Sequence, residues 1–229
     1  MGSAEASLDR IPSERILGQI RTKLLSWFRN NDRRFPWRRS SVTQYQYVIA
    51  EILLQRTRAE TAARFFPTFV DTFPSWKHIS ASSIGTLEEL LQPLGLWRRR
   101  AASIHALANE MSRRNGRFPR SRSEIESLPG VGQYIANAIL LFCHNEPEPL
   151  LDVNMARVLE RVFGSRQLAD IRHDPYLQEL SHRIVDCQTP NKVNWAILDL
   201  AGTTCLIRNP RCERCPLASM CLTRLRGAN

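Results

Sequence analysis

Leu128-Pro129-Gly130-Val131-Gly132-Gln133-Tyr134 joins two stretches of helical periodicity, about 122–127 and 133–144. Pro129 ends the first helix, because proline lacks the N–H that would continue it. Gly130 and Gly132 permit positive φ and leave backbone N–H groups bare at the start of the second helix. Such a turn can hold a phosphate while reading no base. A Gly-x-Gly between two helices can equally be only a turn. The surroundings therefore have to decide its meaning.

Outward from this hairpin the chain continues in helical patterns. Apolar residues recur at helical spacing from Pro12 to Asn30 (Ile16, Ile20, Leu24, Phe28), with Ser13 placed as an N-cap. Further patterns cover about 43–55, 58–72, 85–92, 98–114, 153–163, 175–186 and 190–200. The breakers between and around them are Pro67, Pro74, Pro93-Leu94-Gly95, Gly116, Pro119, Pro147, Pro149 and Pro190. Residues 1–10 read as loose. No segment shows strand alternation, and neither an internal repeat nor a low-complexity tract is visible. The expected fold class is all-α.

The 229 residues are 43% hydrophobic, enough for one large core or two small ones. Lysine and arginine number 32 against 22 acids, a net charge of +10 and a pI near 10.0. That excess suits a polyanion, whose counterions are released on binding. An anionic membrane surface is the rival. No run of 18 apolar residues exists, so no span is expected, and the first residues carry neither a signal core nor a myristoylation site. A soluble, cytoplasmic protein with no membrane partner is expected. The basic runs Arg98-Arg99-Arg100, Arg113-Arg114 and Arg117-Arg120-Arg122 read, for the most part, as solvated helix faces.

Four of six cysteines crowd into the last 25 residues, as Cys205, Cys212, Cys215 and Cys221. Their C-x6-C-x2-C-x5-C spacing lets four thiolates close around one inorganic centre at small entropic cost. A zinc ion and a [4Fe–4S] cube both fit that donor set. Such a centre is chiefly a staple for the fold. Arg208, Arg211 and Arg214 sit within the ligand loops and suit a phosphate backbone. Cys143 and Cys187 fall in helical patterns and read as buried, small apolar side chains. Eighteen residues past Tyr134 stands Asp152, between an apolar pair and the helical pattern 153–163. It reads as an N-cap, as a carboxylate facing a substrate pocket, or as both, since capping would also fix the side chain.

Together, Leu-Pro-Gly-Val-Gly, the aspartate eighteen residues past Tyr134, and the cysteine-spaced ending resemble the endonuclease III and MutY superfamily of DNA glycosylases. The resemblance runs from about Phe35 to Cys221. It implies two helical lobes with a DNA-binding cleft between them. One lobe would be residues 1–34 with 145–229, carrying a [4Fe–4S] cluster on the loop 205–221. The other would be a helical barrel, 35–144, with the helix-hairpin-helix at about 122–144. It favours iron–sulfur over zinc. Asp152 would then stabilise an oxocarbenium-like sugar as the base departs, and orient or deprotonate water. Gly130, Val131 and Gly132 would hold the DNA backbone.

Individual positions refine the resemblance. In endonuclease III a lysine stands where this chain has Tyr134, and attacks the sugar as an imine-forming nucleophile. A phenol cannot form an imine, so strand cleavage through this position is not expected. Ala50-Glu51-Ile52-Leu53-Leu54-Gln55-Arg56-Thr57 resembles the segment that carries a base-contacting glutamate in MutY and in the MIG mismatch thymine glycosylases. Among apolar neighbours Glu51 would keep a raised pKa and donate to the leaving base. Gln55 or Arg56 from one loop and Leu96 from another would fill the hole left by the extruded base. Asp152, Tyr134 and Glu51 are the expected catalytic set.

MutY proteins usually show Gln-Gln-Thr and Gly-Leu-Gly-Tyr-Tyr, where this chain has Gln55-Arg56-Thr57 and Leu94-Gly95-Leu96-Trp97-Arg98. The chain also stops eight residues after Cys221, short of MutY's C-terminal domain. Against this, Asp152-Val153-Asn154 matches neither group at its middle residue. The expectation is a monofunctional enzyme that releases thymine or uracil opposite guanine, acting as a monomer on double-stranded DNA containing a mispair. The alternatives are a MutY-like adenine glycosylase lacking the extra domain, and a non-catalytic iron–sulfur DNA-binding protein.

Overall fold

The computed structural model describes residues 10–227; most of the segment 1–10, expected to be loose, lies outside them. The described residues are helical, without a strand. Twelve α-helices follow in order among them: α1 (Glu14–Asn31), α2 (Gln44–Leu54), α3 (Ala59–Thr72), α4 (Trp76–Ala81), α5 (Ile84–Leu91), α6 (Trp97–Arg113), α7 (Arg122–Glu126), α8 (Gln133–His144), α9 (Val153–Phe163), α10 (Pro175–Val185), α11 (Pro190–Thr203) and α12 (Leu222–Leu225). The chain divides into two compact units, Arg34–Asn145 and Met1–Arg33 with Glu146–Asn229.

The unit 34–145 is built from α2 to α8. Its core includes Ile49, Leu53, Phe69, Ile79, Leu87, Ile104, Leu107, Ile135 and Ile139. The helix α2 opens on a capping box: Thr43 Oγ1 accepts the Gln46 N–H at 3.3 Å, and Gln46 Oε1 accepts the Thr43 N–H at 3.0 Å. Every residue from Val48 to Leu53 is buried, so α2 is enclosed on nearly all sides. It packs on α3 and α8, while α6 packs on α4 and α5.

Two local expectations change. Pro67 was expected to break the chain but lies inside α3. Proline removes one backbone hydrogen bond there, and the burial of Ala62, Phe66 and Phe69 carries the helix through. The helix α4 is absent from the periodicity reading because Trp76-Lys77-His78-Ile79-Ser80-Ala81 is short and mixed. Trp76 and Ile79 are buried, and Trp76 meets Tyr45 and Phe118 edge-on. Packing, not propensity, holds this turn and a half.

The second unit combines α1 with α9 to α12 around Leu17, Ile20, Leu24, Val158, Leu159, Tyr176, Leu180, Ile184 and Ile197. Ser13 takes the extended N-cap conformation of α1, but its side chain makes no capping bond. Pro190 separates α10 from α11 and begins α11 at its first position, where the pattern 190–200 starts. Asp174 caps α10 and is fully buried. One oxygen accepts the Leu177 N–H, the other those of Gln167 and Leu168, each at 2.8 Å. This carboxylate pins the 164–174 loop to the helix it caps. No helix among the described residues is long and apolar enough to cross a membrane.

Candidate active site and nucleic-acid interface

The hairpin turn 127–132 connects α7 to α8. Gly130 has φ +72°, and a Cβ there would lie 3.0 Å from Cβ of Ser103, so both space and conformation require glycine. Gly132 differs from expectation: its φ is −99°, ordinary extended backbone, where it serves as N-cap of α8. A Cβ on Gly132 would meet nothing within 4 Å, so its bare face is open. Val131 is buried, and its N–H donates to the Leu128 carbonyl at 3.1 Å. Val131 thus anchors the turn in the core. The N–H groups of the first turn of α8 lack intrahelical partners by geometry, and they lie beside exposed Gly132.

In the first turn of α8 stands Tyr134, and α8 and α2 bring it together with Glu51. The Tyr134 hydroxyl donates to Glu51 Oε2 at 2.8 Å. Glu51 is only 3% exposed, set between Ala50 and Ile52 on the enclosed helix. Tyr134 is half-buried against the same core.

At its C-terminal end α2 runs into Gln55-Arg56-Thr57, and Arg56 has φ +55°. Gly95 and Leu96, at the start of α6, have φ +69° and +50°. Gln55, Arg56 and Leu96 are all exposed, Leu96 by 55%. Arg100 was read with Arg98 and Arg99 as part of a solvated face. It is buried, and burial pulls its guanidinium below its ordinary pKa. Its signal was present in the sequence: it falls in phase with Ile104, Leu107, Ala108 and Met111, the buried stripe of α6.

In the other unit Asp152 is the N-cap of α9. Its Oδ1 accepts the N–H groups of Asn154 (2.9 Å) and Met155 (2.8 Å), and its Oδ2 accepts Nδ2 of Asn154 at 2.7 Å. The side chain is half-buried and held at three points. Asn154 in turn accepts from Arg157 at 3.1 Å, and Arg157 donates to the carbonyls of Cys205 and Ala201, each at 3.0 Å. One turn on, Arg161 donates to the Leu206 and Ile207 carbonyls at 2.7 and 3.1 Å and lies 3.4 Å from Cys205 Sγ. Neither Asn154 nor Arg157 was singled out in the sequence. Their i, i+3 spacing on a helix that begins at the aspartate was the available sign.

Cys205, Cys212, Cys215 and Cys221 are all free thiols, each half-buried. Burial pushes the Cys215 thiol up to about 11, and the other three are near enough to add to the rise. Among the described residues no three His, Cys, Asp or Glu side chains are closed up around a single metal ion. An all-thiol donor set on one loop, with arginines against it, fits an iron–sulfur centre. Arg208, Arg211 and Arg214 are exposed on that loop. Cys143 lies within α8 and packs against the core of its unit, but like Cys187 it is half-buried where burial was expected. Cys187 packs against the other core from just beyond α10 instead of within a helix.

Residues 49–189 match the model of the HhH-GPD superfamily of base excision DNA repair proteins. The chain belongs to this superfamily. Residues 208–221 also match the iron–sulfur binding domain of endonuclease III, a segment that contains Cys212, Cys215 and Cys221. This HhH-GPD protein is therefore a DNA glycosylase of base excision repair with an iron–sulfur cluster. It is 36% identical over 208 residues to a thymine-DNA glycosylase of Aeropyrum pernix, covering 89% of this chain and 93% of that one. It is 33% identical over 216 residues to a thymine/uracil-DNA glycosylase of Pyrobaculum aerophilum, covering 92% and 94%. An adenine DNA glycosylase of Buchnera aphidicola is 33% identical over 208 residues, with 57% of its length covered. The solved structure of a thermostable thymine-DNA glycosylase superposes with TM-score 0.84 at 26% identity, covering 92% of this chain and 97% of that chain.

Proposed function

We propose that this HhH-GPD protein is a monofunctional DNA glycosylase that releases thymine or uracil mispaired with guanine. The observation that carries this reading is Tyr134 at the mouth of α8, with its hydroxyl committed to Glu51. The residue following the hairpin can form no imine, so it cannot cleave the strand through a covalent sugar intermediate. Likeness to thymine and thymine/uracil glycosylases over nearly the whole of both chains supports the choice of base.

In this reading the N-glycosidic bond breaks heterolytically, its electrons leaving with the base. Asp152 stabilises the cationic sugar through the carboxylate edge of Oδ2, which accepts from Asn154 Nδ2. The same carboxylate orients the water whose oxygen joins C1′ and whose proton it takes. Its three internal hydrogen bonds hold it in place beforehand, which removes the cost of organising it during reaction. Glu51 and the Tyr134 hydroxyl form a polar pair in an apolar wall that meets the extruded base. Gly130, Gly132 and the Val131-anchored turn hold the DNA backbone. Gln55, Arg56 and Leu96 fill the vacated stack, Arg56 facing the acceptors of the orphaned guanine.

Cys205, Cys212, Cys215 and Cys221 would hold a [4Fe–4S] cluster, which supplies a covalent cross-link for the C-terminal loop. The exposed Arg208, Arg211 and Arg214 on that loop meet phosphates. The working unit is taken to be a monomer on double-stranded DNA, its two units corresponding to the two lobes of the superfamily.

A panel of duplexes holding G·T, G·U, or adenine opposite 8-oxoguanine, assayed with and without alkali, tests the reading. G·T and G·U strands should break only after alkali. Release of adenine alone would assign the chain to adenine excision. Base release untouched by Asp152→Asn would remove the proposed chemistry.

A further inference from the structure

Arg100 reaches two loops that lie about forty residues apart in the chain. Its Nη2 donates to the Gln55 carbonyl at 2.7 Å and to Thr57 Oγ1 at 3.0 Å. Its Nη1 faces the carbonyls of Leu94 at 3.4 Å and Gly95 at 3.3 Å. Both loops hold a non-glycine residue, Arg56 or Leu96, in the left-handed region. Side chains with a Cβ resist that conformation, so it persists where surrounding bonds enforce it. The tips of the two loops are exposed, while the arginine that ties them is buried.

We propose that Arg100 is a positioning residue for base extrusion, locking the Gln55–Thr57 and Leu94–Leu96 turns into one two-pronged wedge. The proposal deepens the reading of Gln55, Arg56 and Leu96 given above and rests on it. Filling the space of an extruded base requires both prongs in register with one base step. Two independently mobile loops would lose that freedom at each encounter with DNA. Bridged loops have lost it on folding. Arginine suits the task because its planar fork serves acceptors from two directions at once. A lysine ammonium on a single stem serves one loop or the other.

The test is single-turnover release of uracil by the iron-loaded protein from two duplexes. In one, uracil faces guanine; in the other it faces an abasic site and is already unpaired. Arg100→Met is expected to slow release from the mispair about 30-fold and from the unpaired site less than about threefold. Leu96→Ala should show the same preference. The double variant should fall no more than about twofold below the slower single variant, because both changes disable one wedge. Equal losses on the two duplexes, or losses that multiply in the double variant, would overturn the proposal. If Leu96→Ala and Gln55→Ala cost nothing on either duplex, the wedge reading itself fails, and Arg100 with it. Wild-type protein inert on both duplexes would sink the functional reading as a whole. Should Arg100→Met fail to fold, Arg100→Lys decides: at least a tenfold loss on the mispair is expected, and a wild-type rate would show that charge alone suffices.

Discussion

The Tyr134 hydroxyl and the Glu51 carboxylate, 83 positions apart in the chain, are joined by a hydrogen bond of 2.8 Å. Glu51 is buried, so its oxygen relies on this donor more than a surface carboxylate would. Tyr134→Phe should leave the fold intact and cost roughly 1–3 kcal/mol, the penalty for weakening the satisfaction of a buried acceptor. Base release should slow about 10-fold to 100-fold at unchanged DNA affinity. Thermal melting, duplex binding and single-turnover rates together check this. An unchanged rate would place the pair outside the chemistry.

Asp152 combines a structural and a proposed chemical duty, and two substitutions separate them. Asn at 152 retains an oxygen to cap α9, so stability should move by less than about 1 kcal/mol. Ala removes the cap and should cost about 0.5–2 kcal/mol. Both should lose at least roughly a thousandfold in base release, as expected for loss of a preorganised charge. If Asn at 152 remains active while Ala does not, the residue acts only as a cap.

The protein should give alkali-labile sites without forming a borohydride-trapped covalent complex with DNA, because no imine arises from Tyr134. Gel analysis of borohydride-quenched reactions reads this directly. A trapped species would point to an amine elsewhere in the site.

Purified protein should be yellow-brown and carry about four irons per chain if the cluster is a cube. Cys212→Ser or Cys221→Ser should lower the iron content and weaken duplex binding, most at low salt and with a shallower salt dependence than wild type, since the exposed arginines of the loop are no longer held against phosphates. Stoichiometric zinc in place of iron would refute the cluster.

Acid should loosen the unit that contains Asp174. Burial opposes ionisation of this side chain, but the backbone N–H groups of Leu168, Leu177 and Gln167 outweigh it and hold its pKa below the ordinary value. The unfolded chain therefore takes up this proton first as pH falls. The stabilisation is complete above about pH 4 and is lost as pH drops through the folded value. Asp174→Asn should cost about 2 kcal/mol at neutral pH and reduce the slope of stability against pH below 4. Denaturant titrations between pH 3 and pH 7 measure both. An unaltered slope would mean that other carboxylates carry the acid response.

The helices with strong periodicity, α1, α2, α6, α8, α9 and α10, were legible because a 3.6-residue apolar stripe is a local property of the chain. The short α4 was not, since Trp76 and Ile79 hold it only through partners far along the chain. Pro67 misled for a related reason: its cost is local, while the packing that outweighs it is not. Gly130 was correctly read as a left-handed position, whereas Gly132 keeps ordinary φ and leaves open space instead. The run Arg98-Arg99-Arg100 looked uniform as a charge cluster. Only helix phase separates its buried member from its two exposed ones.

By itself the sequence determined the all-helical class, the hairpin, the four-cysteine ending and the aspartate that opens α9. Each is set by neighbouring residues: a proline and glycine in a turn, thiols a few residues apart, an acidic cap before an apolar stripe. The tertiary structure decided which of these side chains meet. It paired Tyr134 with Glu51, turned Arg100 inward to grip two loops, and linked Asp152 through Asn154 and Arg157 to the carbonyl of Cys205. Those contacts depend on the rotation and docking of whole helices, which the burial of many distant apolar side chains fixes together.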